Sequence, residues 1–190
     1  MKPAGAPGDP CADAGRELIG DIYLSSAELT ARVTELGRAI TADYEGREIL
    51  LVSVLKGAIF FMADLVRCID RPVEMDFMAI SSYGESAQTS DKKAIRFVKD
   101  LERPIEDRDV IVVEDIVDTG LTLNYVLHSL SLRGPASLEV CTLLDRPYRR
   151  IADVSIRYSG FIVPDDFFVG YGFDYRQLYR NLPSISFLKI

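Results

Sequence analysis

The chain has 190 residues, 48% hydrophobic and 27% charged, which is enough for one well-packed domain but short for two. Its formal net charge is −7 at pH 7. A protein that holds nucleic-acid phosphates on a basic face is therefore not expected. No apolar run approaches the roughly 20 residues that a membrane span needs, and the start lacks a signal-peptide core, which predicts a cytoplasmic protein without membrane contact.

The cysteines and the histidine exclude two further kinds of site. Cys11, Cys68 and Cys141 are odd in number and show no CxxC spacing, so neither a disulfide framework nor a zinc site is expected. His128 is the only histidine, and it falls in a predicted helix without a nucleophile close by in sequence. Acid–base chemistry must therefore come mainly from carboxylates.

The chain-order pattern predicts a flexible tail over residues 1–15, rich in Gly, Pro and Ala, and a single domain over residues 16–190. Ser25 and Glu28 fit a capping box, and the apolar spacing that follows predicts a helix ending near Gly46. Strands are predicted over residues 49–55, 73–80, 110–113 and 137–144, and two further helices over residues 58–69 and 123–130. This alternation predicts an α/β fold, with a twisted, mostly parallel sheet flanked by helices.

Two stretches interrupt this alternation. Residues 81–93 are polar, and long polar loops in compact domains are commonly functional, so a lid is predicted there. A hairpin that contacts a second subunit is the alternative for the same stretch. Residues 161–182 are dense in Phe, Tyr, Gly and Asp.

The segment from Val110 to Leu123 has the clearest chemical content. Four apolar residues lead into Glu114, Asp115 and Asp118 and then into a Thr-Gly-x-Thr turn. A strand, turn and helix in this order place ligands at the carboxyl end of a parallel sheet, where N–H groups and Thr hydroxyls suit a phosphate. The carboxylates fit a ligand that also offers hydroxyl groups or a divalent cation, such as a phosphorylated ribose with magnesium. A turn that only caps the helix is an equally compatible interpretation.

This segment resembles the phosphoribosyl pyrophosphate (PRPP) motif of the type I phosphoribosyltransferases, in the version typical of the hypoxanthine-guanine branch. Further matches follow in the family's order: Leu55-Lys56-Gly57, Ser82-Tyr83-Gly84, Leu143 to Pro147, Phe167 to Tyr175, and Arg180. The resemblance covers the chain from about Leu18 to its end. It implies the type I phosphoribosyltransferase fold, with a hood contributed by the C-terminal segment and a flexible catalytic loop at about residues 81–93.

The resemblance also implies a function, purine salvage. The enzyme would transfer the 5-phosphoribosyl group of PRPP to hypoxanthine or guanine, giving IMP or GMP and pyrophosphate. It would require Mg²⁺ and would form a homo-oligomer, a dimer or a tetramer. Nucleic acid and membrane are not among the implied partners.

The implied roles of the PRPP-binding residues follow the same resemblance. Glu114 and Asp115 would hold the ribose hydroxyls, and the implied metal ligands are Glu114, Asp115 and Asp174. Lys56 and Arg180 would neutralise the departing pyrophosphate. The backbone amide of Gly57 would assist Lys56, and relatives hold the Leu-Lys peptide bond before it in the cis form.

The remaining implied residues surround the 5′-phosphate and the base. Asp118 would be the general base that removes the proton from the attacking purine nitrogen. Backbone and hydroxyl donors of the turn would wrap the phosphate, namely Thr119, Gly120, Leu121 and Thr122. Leu121 stands where relatives often have lysine, so one positive charge is missing there.

Base recognition would rest mainly on aromatic contacts. Phe167 would stack on the purine, and the Phe168 backbone would contact its exocyclic position. Arg146 stands where relatives generally have a lysine that donates to the 6-oxo group, so the preference among hypoxanthine, guanine and xanthine stays open. Ser82 and Tyr83 would approach the ribose and pyrophosphate from the catalytic loop.

Three other functions were weighed against this one. A sibling enzyme acting on xanthine or a pyrimidine is the nearest alternative. A regulator that kept the fold but lost catalysis is disfavoured because the residues with implied catalytic roles occur together. A dinucleotide-binding module is weaker still, since Gly170-Tyr171-Gly172 lacks the third glycine of that fingerprint.

Overall fold

A computed structural model describes residues 16–83 and 94–189, and most of its strands form one six-stranded sheet. In chain order, the strands are β1 (Ile19–Leu24), β2 (Ile49–Leu55), β3 (Val73–Tyr83), β4 (Ala94–Lys99), β5 (Asp109–Val117), β6 (Ser137–Asp145), β7 (Tyr158–Ile162), β8 (Phe168–Val169) and β9 (Ile185–Leu188). The large sheet has the order β4-β3-β2-β5-β6-β7. Its neighbours pair in parallel except β3 and β4, which confirms the predicted mostly parallel α/β sheet.

The helices of the described residues are α1 (Ser26–Asp43), α2 (Ile59–Val66) and α3 (Leu121–Ser131). The capping box of α1 is confirmed, because Ser25 Oγ accepts from the Glu28 N–H while a Glu28 carboxylate oxygen accepts from the Ser25 N–H. The second helix is shorter than predicted, since the N–H of Cys68 turns back to the Leu65 carbonyl at 2.9 Å. In the part of the chain described, no helix is both long and apolar enough to span a membrane.

Two hydrophobic clusters cover the two faces of the large sheet. Because side chains alternate along a strand, Ile49 and Leu51 pack in the cluster beneath α1 and α2, while Leu50 and Val52 pack in the cluster beneath α3. The central strands are covered on both faces, which explains their continuous apolar sequences.

A three-stranded antiparallel sheet forms the hood, in the order β1-β9-β8. The expectation that the C-terminal segment builds the hood accounts for β8 and β9 but omits β1. That strand comes from the N-terminal part of the chain and pairs with β9. The ring of Tyr23 on β1 lies 5.1 Å from the rings of both Phe168 and Phe187, so the sheet has its own aromatic core.

The strand β3 corrects the predicted start of the catalytic loop. It was predicted over residues 73–80 but continues to Tyr83, where it pairs with Ala94 of the unpredicted strand β4. Residues 81–83 lie beyond the last residue that pairs with β2 and pair with the edge strand β4, so a polar sequence is tolerated there. Residues 84–93 of the predicted loop, like the predicted tail, lie outside the described residues.

Candidate active site

The candidate active site lies at the carboxyl end of β5, in the middle of the large sheet. A cavity of about 230 Å³ there is lined by Val54, Glu114, Asp115, Ile116, Val117, Asp118, Thr119, Gly120, Thr122 and Leu123. Six residues predicted from the sequence thus line one cavity. The helix α3 begins directly behind it, as in other α/β proteins that bind phosphorylated ligands at this edge.

Glu114 and Asp115 place two adjacent carboxyl groups in a poorly hydrated setting. Burial, together with the neighbouring Asp115, raises the pKa of Glu114 well above its ordinary value. Desolvation raises the pKa of Asp115 to about 6, against the opposing effects of backbone hydrogen bonds and of Arg180. The Ile116 N–H donates to Asp115 Oδ1 at 2.7 Å. Burial disfavours the charged form of these carboxyl groups. Hydroxyl groups of a ligand, or a hard cation such as Mg²⁺, would stabilise that charged form.

Gly57 gives this pair of carboxyl groups its room. A Cβ atom at Gly57 would lie 1.7 Å from Asp115 Oδ2, and one at Gly172 would lie 2.1 Å from the Gly57 carbonyl oxygen. The peptide bond between Leu55 and Lys56 is cis, as the family resemblance implied. The loops after β2 and β8 therefore approach the end of β5 at distances that only glycine permits.

We expect Gly57→Ala to lower kcat/KM for PRPP by about 100-fold or more, because the Asp115 carboxylate must leave its position to admit the methyl group. Steady-state kinetics alongside thermal unfolding measures this. Gly46→Ala is the control, since nothing lies within 4 Å of a Cβ there, although its φ of +74° disfavours alanine as well. Comparable losses of activity in both variants would contradict the proposal that Gly57 leaves the room that the Asp115 carboxylate needs.

The turn before α3 has the geometry of a phosphate cradle. Gly120 is the N-cap residue of α3 with φ 78°, a left-handed conformation that favours glycine. The N–H groups of Ile151 and Ala152 donate to the Thr119 carbonyl at 2.9 and 3.0 Å, which fixes the turn from behind. The Leu121 N–H makes only a long contact of 3.5 Å with Thr119 Oγ1. The helix dipole and these amides favour an anion here.

Lys56, Arg180 and Asp174 lie on the other side of the site. Arg180 pairs with Asp174 Oδ1 at 2.5 Å and donates to the Gly172 carbonyl at 2.6 Å. Gln177, which the sequence reasoning did not identify, has its Oε1 atom 3.5 Å from both Lys56 Nζ and the Arg180 guanidinium. Its own N–H donates to Asp174 Oδ2 at 2.8 Å. The Gln177 amide oxygen thus lies within a long contact of both cations predicted to bind pyrophosphate.

The predicted metal ligands do not form a metal site by themselves. Within residues 16–83 and 94–189, no group of three His, Cys, Asp or Glu side chains is placed to hold a metal ion. Asp174 is engaged by Arg180 and Gln177, whereas Glu114 is buried and Asp115 half-buried, and neither forms a salt bridge within the described residues. The residues present fit a cation that takes its remaining oxygen ligands from the substrate.

Asp118 lies between two arginines. Arg149 Nε is 3.3 Å from Asp118 Oδ1, and Arg146 Nη1 is 3.8 Å from Asp118 Oδ2. Arg150, from the same short segment, donates to the Asp118 backbone carbonyl at 3.2 Å. Basic residues that follow β6 in the chain therefore contact both the side chain and the backbone of the predicted general base.

Of the predicted base-binding residues, Arg146 lies beside Asp118. Phe167 is 66% exposed, which leaves its ring free to stack, whereas Phe168 is buried in the hood. Arg146 is buried, and its guanidinium donates to the backbone carbonyls of Pro164, at 3.1 Å, and Asp166.

Two predicted residues belong to the catalytic loop. Ser82 and Tyr83 end β3, and their side chains lie outside what the structure describes. Their predicted contacts with the ribose and pyrophosphate stay predictions.

Sequence reasoning missed three residues that organise the site. Gln177 was hidden among polar residues near the C-terminus, and Arg149 and Asp165 belong to charged dipeptides that are typical of solvated surface. Each contacts a partner far away in sequence, so no local pattern could have indicated them.

Comparison with known proteins places this geometry in a family. Residues 20–176 match the model of the phosphoribosyl transferase domain. The chain is 49% identical over 176 residues to the hypoxanthine-guanine phosphoribosyltransferase of Mycobacterium avium, with 90% of this chain and 86% of that protein covered. It is 48% identical to the hypoxanthine phosphoribosyltransferase of Salmonella typhimurium, with 87% and 93% covered. The crystal structure of a hypoxanthine phosphoribosyltransferase from Staphylococcus aureus is similar at a TM-score of 0.85 and 42% identity, over 92% of this chain and 94% of that one.

Proposed function

The chain belongs to the hypoxanthine-guanine phosphoribosyltransferases, and from that premise we propose that its cavity at the end of β5 transfers the phosphoribosyl group of PRPP to a 6-oxopurine. The products are IMP from hypoxanthine and GMP from guanine, with pyrophosphate. The observation that supports this assignment is the juxtaposition of Glu114, Asp115 and Asp118 with the N-terminus of α3 in one cavity.

The reaction separates charge, and the site has groups for both charges. Breaking the bond from the sugar C1 to pyrophosphate leaves positive charge on the ribose and negative charge on the leaving group. Glu114 and Asp115 would accept hydrogen bonds from the ribose hydroxyls. Lys56 and Arg180, both within a long contact of Gln177, would bind the pyrophosphate.

The proposed cofactor is Mg²⁺, which would neutralise charge on the pyrophosphate and orient it. Glu114, Asp115 and Asp174 would hold the ion, together with oxygen atoms of the substrate. For Asp174 to contribute, its Oδ1 atom must be shared with, or released by, Arg180. Thr119, Gly120, Leu121 and Thr122 would hold the 5′-phosphate at the start of α3.

Asp118 is the proposed general base. Its carboxylate would take the proton from the purine nitrogen that attacks C1. Phe167 would stack on the ring, and the Phe168 backbone would contact the exocyclic position. Nε and Nη2 of Arg146 already donate to backbone carbonyls, and Nη1, near Asp118, is its proposed donor for the 6-oxo group.

A parallel assay of hypoxanthine, guanine, xanthine and adenine with PRPP and Mg²⁺ tests the proposal. An arginine donor facing the 6-amino group of adenine would be left unpaired, at a cost of about 1–3 kcal/mol or more. We therefore expect kcat/KM for adenine to be at least about tenfold below that for hypoxanthine. Comparable turnover of adenine and hypoxanthine would refute the proposed recognition of the 6-oxo group.

Two properties of the whole enzyme complete the proposal. We propose a homo-oligomer, either a dimer or a tetramer. It is supported by Ile59 and Phe60, apolar side chains of α2 that are 41% and 39% exposed. A cytoplasmic location is proposed because PRPP is a highly charged metabolite that does not cross membranes unaided.

A further inference from the structure

Arg149 connects two parts of the site that are distant in sequence. It lies at the end of a short 3₁₀ turn, Pro147–Arg149, that follows β6. Its Nε atom is 3.3 Å from Asp118 Oδ1, and its Nη1 atom is 2.9 Å from Asp165 Oδ1. Asp165 precedes the stacking residue Phe167 by two positions. One guanidinium thus joins the predicted general base to the segment that presents the aromatic ring.

The neighbouring Arg146 holds the same segment differently. Its guanidinium binds the backbone carbonyls of Pro164 and Asp166, and its Nη1 atom stays 3.8 Å from both Asp118 and Asp165. Arg146 therefore fixes the backbone of the base-binding segment, whereas the closest cation to either aspartate side chain is Arg149.

Asp118 needs such a restraint. Its Oδ1 atom is buried and, among the described residues, accepts no hydrogen bond of good geometry, so the ionic contact with Arg149 is what orients this oxygen. An aspartate side chain that follows a strand end can rotate about two bonds. A general base must instead stay within hydrogen-bonding reach of one ring nitrogen of the purine.

We propose that Arg149 is a positioning residue for the transfer reaction: by binding Asp118 and Asp165 together, it keeps the general base in register with the stacked purine. This inference rests on the proposed function. It predicts that losing the guanidinium impairs proton removal and purine binding together, and leaves PRPP binding nearly intact, since the ionic contacts of the Arg149 side chain are with Asp118 and Asp165.

Steady-state kinetics of Arg149→Gln, Arg149→Lys, Asp165→Asn and the Arg149→Gln/Asp165→Asn double variant test this. Arg157→Gln is the matched control, because Arg157 is 40% exposed against 42% for Arg149 and also bridges two carboxylates, Asp43 and Glu139. We expect Arg149→Gln to lower kcat about tenfold and to raise KM for hypoxanthine, with KM for PRPP changed less than about twofold. Lysine, which can reach only one of the two carboxylates, should restore part of the loss.

The Asp165→Asn variant separates positioning from a general loss of stability, because it keeps Arg149 in place. It should raise KM for hypoxanthine, and the double variant should be no worse than Arg149→Gln alone. The proposal is overturned if Arg149→Gln has wild-type kinetics, if the effects of the two changes multiply independently, or if Arg157→Gln shows the same losses. An inactive wild-type protein would instead refute the proposed function on which the inference rests.

Discussion

The Asp115→Asn variant is expected to be more stable than the wild type at neutral pH, although it loses activity. Desolvation raises the pKa of Asp115 from 3.8 to about 6, so the folded state binds a proton between those pH values that the unfolded state releases. As pH rises from 4 to 6, ionisation of this group therefore lowers the free energy of unfolding of the wild type by up to about 3 kcal/mol, and this reduction persists above pH 6. Asparagine carries no charge, and its Oδ1 can still accept from the Ile116 N–H.

Urea unfolding of the metal-free proteins at pH 4.5 and pH 7.5 measures the difference. The advantage of Asp115→Asn should be small at the lower pH and should grow at the higher one. Asp100→Asn is a control of opposite sign: the hydrogen bond from Arg133 lowers the pKa of Asp100, so its charge stabilises the fold above the unfolded pKa, and that stability is lost as pH falls. An Asp115→Asn advantage that does not change with pH would contradict the burial argument.

Asp118→Asn is expected to lower kcat for hypoxanthine by about 10²–10⁴-fold while the protein stays folded. The amide has nearly the shape of the carboxylate but cannot accept the purine proton. Because Asp118 is partly exposed and its oxygens face Arg146 and Arg149, removing its charge should change stability much less than activity.

Single-turnover kinetics with saturating PRPP gives the cleanest measurement of this effect. The single-turnover rate of nucleotide formation should fall sharply, since proton removal belongs to the chemical step. Asp100→Asn again serves as a control, because its carboxylate pairs with Arg133 outside the cavity. A kcat for Asp118→Asn within about threefold of wild type would assign the general base to another group.

Local sequence patterns predicted the three helices and four of the nine strands in the described residues. The apolar runs of β2 and β5 and the helical spacing in α1 and α3 predicted these elements, because both faces of the sheet and one face of each helix are buried. The strands β1, β4, β7, β8 and β9 were not predicted. Four of these five lie at the edge of a sheet, where one side is solvated, and the fifth, β9, lies between β1 and β8 in the hood.

Some residues of the candidate site could be predicted from the sequence, and others could not. Residues of the segment from Glu114 to Thr122 could be identified together because one strand, turn and helix positions them all. Gln177, Arg149 and Asp165 could not, because each acts on a partner supplied by a different element. The room that Gly57 leaves for Asp115 is likewise a matter of packing between loops, which no sequence spacing reveals.

Product analysis tests whether this cavity joins a 6-oxopurine to the ribose of PRPP. Hypoxanthine, PRPP and Mg²⁺ are incubated with the protein, and nucleotide and pyrophosphate are quantified chromatographically and enzymatically against mixtures lacking the base. We expect IMP and pyrophosphate in equal amounts, with neither formed in the absence of hypoxanthine. Pyrophosphate release without IMP, or no reaction with hypoxanthine or guanine, would contradict it.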